Sequence, residues 1–393
     1  VRFVRALPGG MLVGFPVTWV LAEWLRSWLF TGFPWLYLGY AHLDTPIAGW
    51  APVVGVFGLS FICALTGSCL FLAWRSRKAI ACTTYAVIVI TLWGGGAVLK
   101  PIEWVVKGSE QPLSVVLIQP NVPQEHKWDR AWYQPILEQL RITSEPHYGV
   151  DILVWPEAAI PNYYQRARDF LDPIAARAAA AETTLFVGAP SLSEQGEGYF
   201  NSVVAIGDGE GIYHKHNLVP FGEYVPLERQ LRGLIAFFDL PMSAFSPGPA
   251  SQPPLRAGAY RVAPFVCYEV VYPELVARSA RDSDLLLTIS NDSWFGTSIG
   301  PLQHLQMTQM RALENGRYMI RGTNNGVSAI INHRGQIVAR TDQFVETTLS
   351  GEVEVMLGNT PFGTFGVTPV IAGSGITLLL MFLMYLGFWR EKN

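Results

Sequence analysis

Long uncharged apolar runs occupy the two ends of this chain, and a more polar region lies between them. A helix crosses a bilayer with about 20 apolar residues. Four segments are long enough: 6–22, which continues past Glu23 and Arg26, a stretch within 45–74, 79–99 and 366–389. Buried helices of a soluble protein seldom stay uncharged over such lengths, so the pattern predicts four membrane-spanning helices.

The central region, 108–360, has a different pattern, in which short apolar runs alternate with amphipathic segments. The runs predict strands at 113–119, 151–156, 184–190, 201–207, 261–267, 284–290 and 326–332. Helical periodicity is found at about 129–144, 168–181, 272–280 and 302–316. This alternation predicts a layered domain with buried sheets. We therefore divide the chain into 1–107 with about three spans, the extramembrane domain 108–360, and 361–393 with the last span and a tail.

Composition supports membrane insertion. The chain has 393 residues, of which 50% are hydrophobic and 15% are charged, whereas soluble proteins carry about 25% charged residues. Residues 1–107 hold only 8 Lys or Arg and 3 Asp or Glu. The net charge of −3 gives no electrostatic indication of a nucleic-acid partner.

The positive charges beside the spans predict their orientation, because Lys and Arg are enriched in cytoplasmic loops. Basic groups precede the first span, separate the second from the third, and follow the last; they are Arg2 and Arg5, then Arg75, Arg77 and Lys78, then Arg390 and Lys392. Successive crossings place all three groups on one face. We therefore expect a multi-pass protein whose central domain lies outside the cytoplasm.

Chemically distinctive residues follow the predicted strands, where α/β proteins usually place their sites. Glu157 follows one strand, Lys215 and Glu223 lie in an irregular stretch after another, and Cys267 ends a third. A carboxylate can accept the thiol proton, and an ammonium favours the thiolate and stabilises an oxyanion. The combination therefore indicates covalent acyl transfer, although each residue alone would more often be structural.

Other motifs in the region fit less well. Ser298 lies in a G-x-S-x-G pattern, but the preceding strand is predicted to end eight residues earlier and the last histidine precedes the next aspartate, unlike serine hydrolases. His214 and His216 have a spacing that could ligate a metal, yet no Cys, His or carboxylate cluster joins them locally. We expect neither a serine nucleophile nor a metal.

A disulfide is a further alternative for Cys267. The other cysteines, Cys63, Cys69 and Cys82, lie in or beside the predicted spans. They leave no obvious partner for Cys267 in the exported domain. An unpaired thiol in an oxidising compartment favours a reactive role.

Several motifs together resemble the nitrilase superfamily and its Glu-Lys-Cys triad: WPEAAIP (155–161), KHNLVPFGEYVP (215–226), CYE (267–269) and SNDSWFG (290–296). With TGFPWLYLGY (31–40), KWD (127–129) and spans on both sides, the chain is similar to the apolipoprotein N-acyltransferase family. The resemblance implies an α+β membrane protein, with a nitrilase-like α-β-β-α sandwich domain flanked by transmembrane helices. Members carry further helices before the position of Val1, so we expect the sequence to be a fragment.

The resemblance also implies residue roles. Glu157 matches the general base, Lys215 the stabiliser of thiolate and oxyanion, and Cys267 the nucleophile. Glu223 matches a second carboxylate that positions the lysine and the reacting groups.

Supporting and substrate-binding residues are implied in the same way. Tyr268 and Glu269 match positions beside the nucleophile, and Glu269 is expected to accept hydrogen bonds from backbone donors. Trp128 is expected to line the substrate entrance. The apolar stretch 231–248 is expected to form a lipid-facing lid, whereas the alternative is a helix that closes the domain core; the lid residues chosen as substrate contacts are Phe237, Phe238 and Met242.

The implied reaction is a ping-pong transfer without cofactor or metal. Cys267 takes the sn-1 acyl chain of a phospholipid, expected to be phosphatidylethanolamine, and passes it to the α-amine of a diacylglyceryl-modified apolipoprotein. The expected location is the bacterial inner membrane with a periplasmic catalytic domain. Two alternatives stay open: a membrane-tethered nitrilase-type amidase or hydrolase that uses water as acceptor, and a catalytically inactive binding module.

Overall fold

The computed structural model describes residues 9–76, 78–193, 198–220, 222–224 and 245–392. The chain divides into two compact units. One unit combines Val1–Trp104 with Asn359–Asn393, and the other is Val105–Gly358.

Helices occur in both units. They are α1 (Phe15–Arg26), α2 (Ala51–Ser76), α3 (Ala79–Leu99), α4 (Gln124–Lys127), α5 (Arg130–Ser144), α6 (Arg168–Ala180), α7 (Pro273–Ala280), α8 (Gly300–Asn315), α9 (Pro361–Phe365) and α10 (Thr368–Lys392). Short 3-10 helices lie at Leu29–Thr31, Leu38–His42, Pro46–Trp50, Glu145–His147, Tyr164–Arg166, Cys267–Val271 and Asp292–Phe295.

The strands all belong to the unit Val105–Gly358. They are β1 (Val106–Lys107), β2 (Leu113–Gln119), β3 (Ile152–Val154), β4 (Thr184–Leu192), β5 (Tyr199–Gly207), β6 (Gly209–Glu210), β7 (Ile212–His214), β8 (Leu255–Ala257), β9 (Tyr260–Val266), β10 (Leu285–Ser290), β11 (Met319–Thr323), β12 (Ala329–Ile331), β13 (Ile337–Arg340), β14 (Thr347–Val353) and β15 (Met356–Leu357).

Three helical segments of the described residues are long and apolar enough to cross a membrane: Pro46–Ser76, Ala79–Leu99 and Thr368–Gly387. They coincide with three of the predicted spans. The remaining predicted span corresponds to a π-helical turn at Gly10–Gly14 followed by α1, which continues to Arg26.

Glycines bring the backbones of the helical unit close together. A Cβ atom on Gly96 of α3 would lie 2.7 Å from the Ile47 Cα atom. A Cβ on Gly49 would collide with the Gly96 carbonyl oxygen. The 3-10 helix Pro46–Trp50 can therefore pack directly against the backbone of α3 only because both positions lack a side chain.

The strand-containing unit is built on two large sheets, and β1 and β15 form a separate two-stranded sheet. A six-stranded sheet has the order β14-β2-β3-β4-β5-β7, and a seven-stranded sheet has the order β13-β12-β11-β10-β9-β8-β6. Apolar side chains of both sheets form one buried core, for example Val154 and Phe186 with Val266 and Ile289. This shared core joins the sheets face to face, because each sheet buries one face against the other.

Helices cover the outer faces of the two sheets. Leu140 of α5 and Leu171 of α6 pack with the outward-facing side chains of the six-stranded sheet. Helices α7 and α8 contact β9 and β11 of the seven-stranded sheet. The predicted α-β-β-α sandwich with membrane-spanning helices is confirmed.

Parallel strand pairing positions the candidate site. Strands β2, β3 and β4 run parallel in the first sheet, as do β9, β10 and β11 in the second. The carboxyl ends of parallel neighbours meet at the same edge of a sheet. Each sheet therefore collects the residues after its central strands at one edge.

Candidate active site

Cys267 directly follows β9 and begins a 3-10 helix. Its φ angle is 53°, which is a left-handed conformation that non-glycine residues rarely adopt. Such a residue costs on the order of 1–3 kcal/mol and persists where its surroundings hold it in place. The chain therefore changes direction sharply at the thiol, and the side chain stays partly buried.

Glu157 lies three residues beyond β3 in a tight turn. Its side chain is only 7% exposed. Its Oε1 atom accepts a hydrogen bond from Asn201 Nδ2 at 2.7 Å, and its Oε2 atom accepts from the Asn291 backbone N–H at 2.7 Å. These donors fix the carboxylate in one orientation.

A glycine makes room for this turn. A Cβ on Gly188 of β4 would lie 2.9 Å from the Glu157 Cα and would collide with the Pro156 carbonyl oxygen. The backbone of β4 therefore supports the backbone of the Glu157 turn directly.

Lys215 follows β7 and is fully buried. Its Nζ atom lies 2.8 Å from both carboxylate oxygens of Glu223 and 3.9 Å from Glu157 Oε1. Asn201 Nδ2 also donates to Glu223 Oε1 at 3.1 Å. The ammonium thus lies with two carboxylates, and Asn201 bridges them.

Strand register brings the thiol to this cluster. Val266, the last residue of β9, pairs with Ile289 of β10. Cys267 is the first residue after the end of β9, and Asn291 lies two residues beyond Ile289. The bond from the Asn291 N–H to Glu157 crosses from the seven-stranded to the six-stranded sheet. The structure therefore brings Glu157, Lys215 and Cys267 together, as the sequence analysis expected.

The thiol is protonated at rest. Burial raises the pKa of Cys267 well above its usual range, the Glu157 charge raises it further, and Lys215 only partly opposes them. The Lys215 ammonium favours the thiolate, as predicted from the sequence, but desolvation outweighs its charge in the folded protein. Nucleophilic attack by this sulfur would therefore require a base to remove the proton.

The two charged partners have the protonation states that this step needs. Burial raises the pKa of Glu157, with Lys215 opposing the shift, so the carboxylate is a stronger base than an exposed glutamate. Burial lowers the pKa of Lys215, but Glu223 and Glu157 raise it by more, so the side chain stays an ammonium.

Glu269 collects donors from both sides of the site. Its Oε1 atom accepts from the Tyr213 hydroxyl at 2.9 Å, the His216 N–H at 2.8 Å and the Asn217 N–H at 3.1 Å. Its Oε2 atom accepts from the Val266 N–H at 2.9 Å. The fully buried carboxylate therefore joins the end of β9 to the segment after Lys215, with backbone donors as expected.

The other predicted residues lie in different places. Tyr268 is buried, and its ring packs edge-on against Tyr272 with 5.5 Å between centroids. Trp128 is 39% exposed at the end of α4. Phe237, Phe238 and Met242, with most of the predicted lid, lie outside the described residues.

Sequence reasoning missed Lys127, which is the residue before Trp128. Its side chain is 3% exposed, and its Nζ atom donates to the Glu157 carbonyl oxygen at 2.8 Å. Burial lowers the pKa of Lys127 to about 8, while Glu157 and Cys267 oppose the shift. The feature of the sequence that indicates Lys127 is its position in the KWD motif, directly before Trp128.

The residues of the competing motifs have structural partners. Ser298 is exposed and accepts from the Gly300 N–H at 3.3 Å, without a strand directly before it. The His214 Nδ1 atom lies 2.8 Å from Ser202 Oγ, and the His216 Nδ1 atom donates to the Gly248 carbonyl oxygen at 2.7 Å. Neither motif is arranged as a second reaction centre.

Models of known protein families and curated relatives both match this chain. The model of the carbon-nitrogen hydrolase family matches residues 117–361, and that of the apolipoprotein N-acyltransferase N-terminal domain matches residues 1–69. The apolipoprotein N-acyltransferase of Pseudomonas paraeruginosa is 48% identical over 376 residues, which cover 95% of this chain and 73% of that protein. The one from Pseudomonas putida is 49% identical over 351 residues, covering 88% and 69%.

Among solved structures, a CN-hydrolase superfamily protein from Xanthomonas campestris has a TM-score of 0.46 at 18% identity, over 62% of this chain and 91% of that one. The identity and coverage of the Pseudomonas relatives extend through both units. The chain belongs to the apolipoprotein N-acyltransferase family.

Proposed function

We propose that this chain moves an acyl chain from a phospholipid to the α-amine of a diacylglyceryl-modified N-terminal cysteine, through a thioester on Cys267. The observation that carries the proposal is the buried Lys215 ammonium with its two carboxylates, fixed beside a protonated thiol. The same arrangement serves both half-reactions, and neither half-reaction requires a redox step.

In the first half-reaction, Glu157 accepts the thiol proton while Cys267 Sγ attacks the sn-1 ester carbonyl carbon. The tetrahedral oxyanion then collapses, and the bond from carbon to the glycerol oxygen breaks. Glu157 returns the proton to that oxygen, and a lysophospholipid leaves. The raised pKa of Glu157 suits both directions of proton transfer.

In the second half-reaction, the α-amine of the acceptor attacks the thioester carbonyl carbon. Glu157 accepts a proton from the amine, the carbon–sulfur bond breaks, and the proton is delivered to the departing sulfur. An amide forms and the free thiol is restored. The high pKa of the Cys267 thiol makes the released sulfur a ready proton acceptor.

Lys215 is proposed to stabilise negative charge in both tetrahedral intermediates. Its ammonium is fully buried, and Coulomb interactions are strong where water is excluded. Glu223 holds the Nζ atom at 2.8 Å and accepts a further bond from the Val219 N–H at 2.8 Å. Glu223 is therefore proposed to position the lysine.

The membrane-spanning segments support a lipid donor and a multi-pass location. Arg75 lies in the last turn of α2 and Lys78 directly precedes α3, and positive residues favour the cytoplasmic side. The unit Val105–Gly358, called the catalytic unit from here on, follows α3 in the sequence. We therefore propose that it lies on the periplasmic side of the inner membrane. Phosphatidylethanolamine is the donor to test first.

Mass spectrometry of the enzyme tests the proposal. The purified protein is incubated with phosphatidylethanolamine, quenched with acid and digested, and Cys267 is expected to carry the mass of a fatty acyl group. Cys82→Ala is the matched control, because Cys82 lies in α3, which belongs to the other unit of the chain. An unmodified Cys267 after incubation under turnover conditions would exclude the thioester mechanism.

The acceptor is tested with the same adduct. A synthetic diacylglyceryl-cysteine peptide with a free α-amine should discharge the thioester and gain the acyl mass, whereas its N-acetylated form should not. Discharge at the same rate in water alone would favour the hydrolase alternative. Failure of Cys267 to acylate at all would favour an inactive binding module.

A further inference from the structure

The strained backbone at Cys267 is held by a buried histidine. The His304 Nε2 atom of α8 lies 3.1 Å from the Cys267 carbonyl oxygen. A carbonyl oxygen only accepts hydrogen bonds, so Nε2 is the donor. His304 is 1% exposed, and this bond reaches the residue whose φ angle is 53°.

Two further buried groups orient the imidazole. The His304 Nδ1 atom lies 3.1 Å from Asp292 Oδ1 and 3.2 Å from an Arg321 guanidinium nitrogen. Arg321 also donates to Asp292 Oδ2 at 2.7 Å, and Ser290 Oγ donates to Asp292 Oδ1 at 2.6 Å. Burial lowers the pKa of His304 and the Arg321 charge lowers it further, while Asp292 and the Cys267 carbonyl oppose the shift.

The hydrogen bond from His304 affects the orientation of the Cys267 side chain, because it is made to the carbonyl group of the same residue. A peptide group is planar, so an anchored Cys267 carbonyl also fixes the direction of the Tyr268 N–H in the same plane. The peptide plane in turn limits where the Cys267 Cα–Cβ bond points. A shift of about 1 Å in a reacting group can reduce a rate about 10²-fold.

We propose that His304 is a positioning residue for Cys267: together with Asp292 and Arg321 it clamps the peptide plane after the nucleophile and holds the left-handed backbone that presents the thiol. The inference rests on the proposed role of Cys267. His304 acts through the backbone and does not exchange a proton with substrate.

Two substitutions of equal polarity test the clamp. The amide nitrogen of His304→Gln can reach the position of Nε2 and donate to the Cys267 carbonyl, whereas that of His304→Asn reaches only the position of Nδ1. We expect His304→Asn to lower kcat for acyl transfer by about 10²-fold with KM for phosphatidylethanolamine little changed. His304→Gln should recover most of this loss.

Alkylation of the thiol gives a readout that does not depend on acyl transfer. Iodoacetamide should modify Cys267 more slowly in His304→Asn than in His304→Gln at matched thermal stability. If wild-type protein fails to form the acyl adduct, the proposed function falls while alkylation still tests the clamp. Equal rates in the two variants, or a slower rate in His304→Gln, would overturn the inference.

A third variant keeps the test decisive if the His304 variants do not fold. A Cβ on Gly326 would lie 2.9 Å from the Asp292 Cγ atom. Gly326→Ala retains every polar side chain of the clamp but displaces that of Asp292, and we expect kcat to fall about tenfold through this loss of position. An unchanged kcat and an unchanged alkylation rate would contradict the inference.

Discussion

The two sheets contribute to the proposed catalytic site in different ways. The residues after strands of the six-stranded sheet, Glu157 and Lys215, are compensating charges held 3.9 Å apart. The residue after β9 of the seven-stranded sheet, Cys267, is a neutral thiol on a strained backbone. One side of the site therefore sets protonation and charge, and the other sets geometry.

This difference predicts how substitutions on each side of the site reduce activity. Charge is removed by an isosteric amide without changing shape, whereas geometry is lost when a backbone contact moves. Variants on the Glu157 side should change pH profiles, and those on the Cys267 side should change rates at every pH.

Removal of the thiol should give the largest effect. Cys267→Ala cannot form the thioester, so we expect acyl transfer to fall by roughly 10⁴-fold or more, at every pH. The rate of peptide acylation and the acyl mass on the protein are the measurements. Cys63→Ala should retain activity, since Cys63 lies in α2, and substantial transfer by Cys267→Ala would refute covalent catalysis.

Glu157→Gln should give the next largest effect, with a distinct pH signature. The amide oxygen can still accept from the Asn291 N–H, but no base remains, so we expect a loss of about 10²–10⁴-fold. Wild-type activity should decline as pH falls through the Glu157 pKa, which burial raises above 4.5. The variant should lack that acidic limb; a retained limb in pH–rate profiles would assign it to another group.

The sequence predicts the fold well where apolar residues continue without interruption. The prediction of 113–119 coincides with β2, Leu113–Gln119, because six of its seven residues are buried and the strand is almost continuously apolar. The pattern missed β11, Met319–Thr323, because it contains Arg321, whose buried charge is paired only in the folded protein. It also missed β14, Thr347–Val353, whose partly exposed side chains give weak apolar contrast.

Prediction of the candidate site from the sequence has a similar limit. The sequence indicates Glu157, Lys215 and Cys267 as candidates because each has a chemically distinctive side chain near the end of a strand. It does not indicate the roles of Lys127 and His304, since these depend on backbone oxygens that are distant in sequence, those of Glu157 and Cys267. A local motif carries the identity of a side chain but not that of a backbone partner.

Loss of the buried ammonium should destabilise the protein as well as slow it. Lys215→Met leaves the Glu157 and Glu223 carboxylates buried without their cation, and breaking such a pair costs about 3–5 kcal/mol. We expect a clear fall in thermal stability of the catalytic unit. Glu223→Gln is the control, because its amide oxygen can still accept from Lys215; a Lys215→Met protein as stable as wild type would argue against strong pairing.

Substitution of Lys127 should give the smallest effect and distinguishes charge from position at the Glu157 turn. The Lys127 charge lowers the pKa of Glu157. Lys127 carries this charge at pH values below its own pKa of about 8. Removing the Lys127 charge raises the Glu157 pKa, so the acidic limb of the pH–rate profile should move to higher pH. At pH values below the Glu157 pKa, the rate should fall by about tenfold or less.

Two variants of Lys127 separate the contributions. Lys127→Gln removes the charge but keeps a donor that can bond to the Glu157 carbonyl oxygen, whereas Lys127→Met removes both. A limb that moves equally in both variants identifies the charge as the cause. A limb that moves only in Lys127→Met identifies the hydrogen bond at 2.8 Å, and Glu157 would then depend on backbone position as Cys267 does. That outcome would break the distinction between the two sides of the site.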